Sequence, residues 1–271
     1  MARDTKYKFS YSEKRDIVTC PHRYQLITIQ GVQTVDADVV RRLLVPNTLD
    51  LALTTWVNNG FPGSLVEVAR DRYEAYCKTN IHSIRWKHPM DFRDCDLNLR
   101  DAAVKLEAAM RCNDLIRAGA RAQVTIMVKV DLPNGEQLKL TGRLDLLYPD
   151  MPEIWDLKTT DNAKWLDMDQ LVYYDFAVSL MLGKKVKRCG FLVPLIDPSV
   201  QYTDEIGREE WEQLFEELNF GMQTITVNQF PDLGKTEVDC FMCFAKRFCR
   251  RYAGRGPKQI VTSGKSTKVG F

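Results

Sequence analysis

Between residues 121 and 160 the hydrophobic period of the chain drops from helical spacing to two, and it does so three times in succession. "RAQVTIMVKVDL" (121–132), "QLKLTGRLDLLY" (137–148) and "EIWDLKTT" (153–160) carry strand patterning, and only the turn sequences "PNGE" and "PDMP" separate them. Connections this short permit only antiparallel pairing of neighbours, so the stretch specifies a three-stranded meander. On either side the spacing is helical. Leu99, Ala102, Ala103, Leu106, Met110 and Leu115 share one face and predict a helix over 98–118 that Gly119 ends. "DMDQLVYYDFAVSLML" predicts a second helix ended by Gly183, and "KRCGFLVPL" a fourth strand after it. A strand reached through a crossover helix can pair in parallel with an earlier one. The expected fold class is therefore α/β, a mixed central sheet flanked by helices. Further helices are expected from Asn47 or Thr48 to Asn58, over 64–77 with Ser64 as N-cap and Glu67 completing a capping box, and over 207–222. Residues 1–24 read as a polar arm.

A hydrophobic fraction of 45% in 271 residues is enough for a sizeable core and argues against wholesale disorder. The net charge of +2 excludes a uniformly basic coat, so any nucleic-acid contact must come from local clusters. No apolar run is long enough to span a bilayer, and the first twenty residues lack a signal-peptide core, so the expectation is a soluble, intracellular protein without membrane contact. In that compartment eight cysteines point to buried thiols, a metal site or a cluster rather than a disulfide framework.

Strand parity gives the chemistry. In the second strand Lys139, Thr141, Arg143 and Asp145 share one face; in the third, Asp156 and Lys158 point the same way. One short turn joins these strands, so Asp145 and Asp156 approach each other on a common face. Two close carboxylates repel unless a cation lies between them, and hard divalent ions such as Mg²⁺ or Mn²⁺ favour carboxylate and carbonyl oxygen. The carbonyl of Leu157 offers a third oxygen. A lysine beside such an ion orients or activates a water, or offsets phosphate charge in a transition state, which is the chemistry of phosphodiester hydrolysis.

Gly142-Arg143-Leu144-Asp145 followed by Asp156-Leu157-Lys158 resembles motifs II and III of the PD-(D/E)XK nuclease superfamily. Gln170 and Tyr174, one helical turn apart, resemble the Q-x-x-x-Y motif of its RecB-like branch. The resemblance implies a restriction-endonuclease-like core and assigns catalytic roles to Asp145, Asp156, Lys158, Gln170 and Tyr174. The branch usually carries a histidine in its first helical motif as a further metal ligand. Here no histidine occurs between His22 and His82, and Asp50 is the candidate in its place.

Cys240, Cys243 and Cys249 form C-x2-C-x5-C, and Cys20 lies far upstream before Pro21. Four thiolates suit an iron–sulfur cluster or a structural zinc, and spacing alone does not choose. Their placement around the nuclease-like motifs, with Ser10, Ser12, Cys20, Pro21 and Tyr24 matching an S-x-S…C-P-x-x-Y opening, resembles the iron–sulfur RecB-like nucleases, similar to the CRISPR-adaptation exonucleases and the AddB nuclease domain. That resemblance implies a [4Fe–4S] cluster joining the N- and C-terminal segments. It covers roughly residues 9–252, implying one nuclease domain over 1–252, core motifs at about 98–195, and a basic tail over 253–271.

After Asp239 the chain has no acidic residue, and Lys246, Arg247, Arg250 and Arg251 interleave with Phe244, Phe248 and Tyr252. With Arg143 these suit phosphate contact and base stacking on a single strand. "SGKST" (263–267) imitates the end of a P-loop, but glutamine stands at 259 where glycine is required, so ATP binding is not expected. Any helicase, recombination or CRISPR partner is then a separate chain. The expected function is a Mg²⁺- or Mn²⁺-dependent DNA exonuclease on single-stranded or frayed ends, in recombination, repair or replication. The alternative is a DNA-binding or assembly protein on a nuclease fold with little cleavage.

Overall fold

The computed structural model describes residues 7–31, 44–79, 84, 91–133, 135–203, 206–231, 243 and 249. It holds a mixed α/β fold. Its strands are β1 (Tyr7–Ser10), β2 (Arg121–Asp131), β3 (Gln137–Tyr148), β4 (Glu153–Leu157), β5 (Arg188–Leu192) and β6 (Val200–Thr203). Its helices are α1 (Tyr11–Thr19), α2 (Pro21–Tyr24), α3 (Leu44–Asn58), α4 (Leu65–Thr79), α5 (Asp91–Cys112), α6 (Met168–Leu182) and α7 (Arg208–Thr226). The sheet runs β1-β3-β4-β5-β6, with β2 also paired to β3. β4 is antiparallel to β3 and parallel to β5, so the predicted meander and the parallel return through a crossover helix both stand. Among the described residues no helix is long and apolar enough to cross a membrane.

The chain divides into two compact units, residues 36–128 with 141–211, and residues 1–35 with 129–140 and 212–271. In the first, α3, α4 and α5 enclose a core of Leu53, Trp56, Tyr73, Leu106 and Met110, which reaches Leu146 and Trp155 of the sheet. α6 is apolar nearly all round and correspondingly buried, as a crossover helix lying on a sheet must be. Gly183 ends it in the left-handed region at φ 62°.

Several boundaries differ from the sequence expectation for physical reasons. α5 starts at Asp91, where Asp91 and Asp94 face the positive end of the helix dipole. It stops at Cys112 rather than 118. Asp114 takes a left-handed φ of 55°, its N–H bonds to the Arg111 carbonyl, and the Leu115 N–H reaches back to the Met110 carbonyl. That is a Schellman closure, and it tucks Leu115 under the helix end, which explains its helical spacing without its being helical. α4 is capped both locally and across the fold: Ser64 Oγ accepts the Val66 N–H at 3.1 Å, as the predicted N-cap should. Glu107 of α5 accepts from Ser64 Oγ at 3.0 Å and from the Leu65 N–H at 2.8 Å, a role the sequence pattern assigned to Glu67. Glu107→Ala is expected to cost about 2 kcal/mol, since it orphans helix N-terminal donors; a urea titration would show a lower midpoint at unchanged slope.

In the second unit the supposed polar arm is structured. Ser10 and Glu13 form a capping box that starts α1: Ser10 Oγ accepts the Glu13 N–H, and Glu13 Oε2 accepts the Ser10 N–H at 2.7 Å. α7 lies close to it at Gly221, where a Cβ would come within 3.0 Å of Phe9 Cε2 and 3.1 Å of Ile17 Cγ2. Buried Lys14 is paired with Glu217 of α7 at 2.5 Å.

Candidate active site

The β3–β4 ladder pairs Leu146 with Trp155. Continued by one residue, the same register brings Asp145 beside Asp156. Asp145 Oδ2 accepts the Leu157 N–H at 2.8 Å, which ties the two strand ends together beyond the last ladder pair. Asp156 is 4% exposed, and its Oδ1 accepts from Gln170 Nε2 at 2.9 Å. Lys158 Nζ stands 2.7 Å from Asp156 Oδ2, close as a charge pair but not aligned as a hydrogen bond, and donates instead to Gln170 Oε1 at 2.8 Å. Gln170 thus holds the acid with its amide nitrogen and the base with its amide oxygen. Tyr174, one turn along α6, lies 3.3 Å from Gln170 Nε2 and donates to the Arg143 carbonyl at 3.3 Å.

The glycine of the Gly142-x-x-Asp145 pattern has a steric reason here. A Cβ on Gly142 would lie 3.0 Å from Tyr174 Cε1, so a side chain would push the tyrosine off β3. Tyr173 does the neighbouring job: its hydroxyl accepts the Thr141 N–H at 3.1 Å and donates to the Thr141 carbonyl at 3.0 Å, pinning α6 to the strand that bears Asp145.

Asp50 reaches the same cluster from α3. Gln123 of β2 links it to Asp145: Gln123 Nε2 donates to Asp50 Oδ1 at 2.7 Å and lies 3.3 Å from Asp145 Oδ1. Gln123 adopts a left-handed φ of 54°, a conformation that costs a non-glycine residue on the order of 1 kcal/mol or more and concentrates at functional sites. Nothing in the sequence singles it out, because it occupies an ordinary outward position in the alternation of β2. Its left-handed backbone and its reach to two remote carboxylates are tertiary facts.

Electrostatics follow from this crowding. Burial, then the nearby charge of Asp145, pushes Asp50 up to about 6, against the pull of Arg143 and Gln123. Burial likewise raises Asp156 to about 6, with Asp145 and Asp50 adding to the rise and Lys158 opposing it. Asp145 is also raised by burial, although the Leu157 N–H, Lys158, Gln123 and Arg143 all favour its ionised form. Burial pushes the Tyr174 phenol up to about 12, so it stays a donor.

Among the described residues no group of three or more His, Cys, Asp or Glu side chains is arranged to hold a metal ion; this includes Cys20, Cys243 and Cys249. At the carboxylates the reason is visible, since the Gln123 amide lies between Asp50 and Asp145. The donor chemistry nevertheless fits a hard divalent cation. Three crowded carboxylates have raised affinity for positive charge, the Leu157 carbonyl lies in sequence between Asp156 and Lys158, Asp156 Oδ2 is already met by the Lys158 ammonium, and the buried Gln123 Oε1 accepts no hydrogen bond.

The sequence profile of the PD-(D/E)XK nuclease superfamily matches residues 8–250. The chain belongs to that superfamily. Its mixed sheet and flanking helices agree with the nuclease fold, which implies DNA as substrate, and nucleases of the superfamily generally use divalent cations such as Mg²⁺ or Mn²⁺. A solved structure titled "Crystal structure of SSO0001" is similar over 92% of this chain and 88% of that one, at 12% identity and a TM-score of 0.44. No curated protein sequence matches.

The structure brings Asp50, Asp145, Asp156, Lys158, Gln170 and Tyr174 into one set, with Arg143 exposed beside it. Cys20, Cys243 and Cys249 are half-buried and form no disulfide, and Cys240 lies outside the described residues. Lys246, Arg247, Arg250 and Arg251 also lie outside them.

Proposed function

We propose that this PD-(D/E)XK nuclease is a metal-dependent DNA exonuclease of the iron–sulfur RecB-like type, acting on single-stranded or frayed ends in recombination, repair or replication. The observation that carries the nuclease reading is the closed set Asp156–Lys158–Gln170 beside Asp145. It holds an acid and a base at a strand end in fixed mutual geometry. Asp145, Asp156, the Leu157 carbonyl and Asp50 hold Mg²⁺ or Mn²⁺. When bound, the cation offsets their repulsion and polarises a phosphate oxygen.

Lys158 positions the attacking water and balances charge on the phosphate. Gln170 fixes the direction of its ammonium group, and a directed donor is worth far more than a free one at a developing charge. Tyr174 supports Gln170 and anchors it to the backbone of β3. Arg143, and the basic residues Lys246, Arg247, Arg250 and Arg251, contact the phosphates of the strand. The [4Fe–4S] cluster on Cys20, Cys240, Cys243 and Cys249 is a structural clip, supported by the C-x2-C-x5-C spacing and the upstream Cys-Pro. Iron and sulfide content of anaerobically purified protein tests it, and a colourless zinc protein would overturn it.

The nuclease reading is tested by degradation of end-labelled single-stranded DNA with Mn²⁺, Mg²⁺ or EDTA. Metal-dependent loss of terminal label is expected. Intact label with well-folded, cluster-loaded protein would leave the DNA-binding alternative. The raised carboxylates add a pH signature. Asp50 and Asp156 take up protons near pH 6, and a protonated carboxyl is a poor ligand. Mn²⁺ affinity is therefore expected to hold above pH 7 and to fall by up to about tenfold per pH unit per bound proton below 6, as calorimetric titrations across that range would show.

A further inference from the structure

We propose that Gln123 is itself a ligand of the catalytic cation, its amide serving as a stand-in for positive charge until the ion arrives. The inference rests on the metal reading above and goes beyond it, since nothing in the nuclease motifs assigns Gln123 a role.

Three observations point the same way. First, the amide nitrogen lies between two carboxylates, 2.7 Å from Asp50 Oδ1 and 3.3 Å from Asp145 Oδ1. An NH₂ group has two protons and can satisfy both oxygens, so a neutral donor occupies the place where two anions call for a cation. Second, the other end of the same amide, Oε1, is buried and accepts no hydrogen bond. A buried carbonyl oxygen without a donor is costly to keep, and here it belongs to a group that needs only a half-turn to reverse its polarity. Turning the amide over puts an oxygen where the NH₂ now sits. Beside two bare carboxylates that is repulsive; beside a divalent cation it completes an oxygen donor set of the kind Mg²⁺ and Mn²⁺ prefer. Third, the left-handed backbone at Gln123 interrupts an otherwise extended strand and directs the side chain at this one spot.

A merely structural Gln123 would tether α3 to the sheet and have no effect on the ion. The two roles separate by metal affinity, read without turnover. Mn²⁺ is titrated into the intact apo-site protein and the free ion followed by electron paramagnetic resonance, with thermal midpoints recorded in EDTA. Gln123→Gly removes the amide while giving the left-handed backbone the residue that tolerates it best. It is expected to weaken Mn²⁺ binding by about tenfold or more. Gln123→Glu keeps an oxygen at the same reach. It is expected to bind Mn²⁺ at least as tightly as wild type while lowering the midpoint in EDTA, because a further carboxylate joins the cluster.

Unchanged Mn²⁺ affinity in Gln123→Gly would reduce Gln123 to a tether and overturn the inference while leaving the metal reading intact. If that variant does not fold, Gln123→Glu decides, and weaker binding than wild type overturns the inference. Absence of Mn²⁺ binding by wild type would remove the metal reading and this inference together.

Discussion

Asp156→Asn is expected to lower DNA cleavage by more than about a thousandfold while making the metal-free protein more stable at pH 8. The two effects have one cause. Asp156 is nearly fully buried beside Asp145, and burial together with neighbouring carboxylates lifts it to about 6. A carboxyl whose folded pKa lies above its unfolded value of roughly 4 stabilises the fold only while protonated. Its contribution is complete below the unfolded value and is lost as pH rises through about 6. At pH 8 the ionised side chain is thus a burden that the absent cation would relieve. Asparagine keeps the size and an oxygen for the Gln170 amide, and it removes the charge. Lys158 loses its ion-pair partner, but it retains Gln170 and is partly exposed, so its own loss is small. A rise in thermal midpoint of about 2–4 °C in EDTA at pH 8 is expected, absent at pH 4. Added Mn²⁺ should raise the midpoint of wild type and leave the variant nearly unmoved. Full cleavage by the variant would remove Asp156 from the active centre. A midpoint that drops at pH 8 would show that the Lys158 pair outweighs burial.

That trade between stability and chemistry also explains how much was legible in the sequence. Alternation along β3 and β4 places Asp145, Asp156 and Lys158 on one face because a strand's period is fixed by the backbone itself. Two short turns then leave one way to pair the meander. Gln170 and Tyr174 were legible because four residues make a helical turn. Asp50 needed the fold to bring α3 to the sheet, and only the missing histidine made it a candidate. Gln123 was not legible at all: its importance lies in a backbone conformation and in two partners 73 and 22 positions away. The same distinction holds for the scaffold. The start of α1 carries little periodic signal, because its capping box sits in a charged segment without apolar periodicity. The apolar spacing runs past the end of α5 because Leu115 returns to the core through a left-handed aspartate. β6 is too short to show a period: of its four residues one is buried, one exposed and two lie between.

Among the described glycines Gly190 has the closest surroundings, and Gly190→Ala is expected to cost roughly 3 kcal/mol or more. A Cβ there would stand 2.4 Å from the Gln201 carbonyl oxygen, 2.7 Å from Trp155 Cζ3 and 2.8 Å from Tyr202 Cβ. The first of these is backbone held in the β5–β6 ladder, where Gly190 pairs with Tyr202 and Phe191 with Gln201, so it cannot swing aside as a side chain would. The second is a fully buried indole whose own Cα is opposite Gly190 in the parallel β4–β5 ladder. β5 must therefore move away from β6, from β4, or from both. Gly183→Ala is the control, because its left-handed φ of 62° meets nothing within 4 Å. It should cost only about 1 kcal/mol of backbone strain. Urea midpoints of the two variants, compared at equal slope, distinguish steric exclusion from conformational strain, and equal losses would refute the close approach at Gly190. The consequence reaches the chemistry because Trp155 precedes Asp156. A displacement of β4 by as little as about 1 Å moves the carboxylate relative to Lys158 and Gln170, enough to reduce a positioned reaction on the order of a hundredfold. Cleavage measured on the folded fraction of Gly190→Ala should thus fall further than its stability loss accounts for, whereas Gly183→Ala should cleave as wild type does.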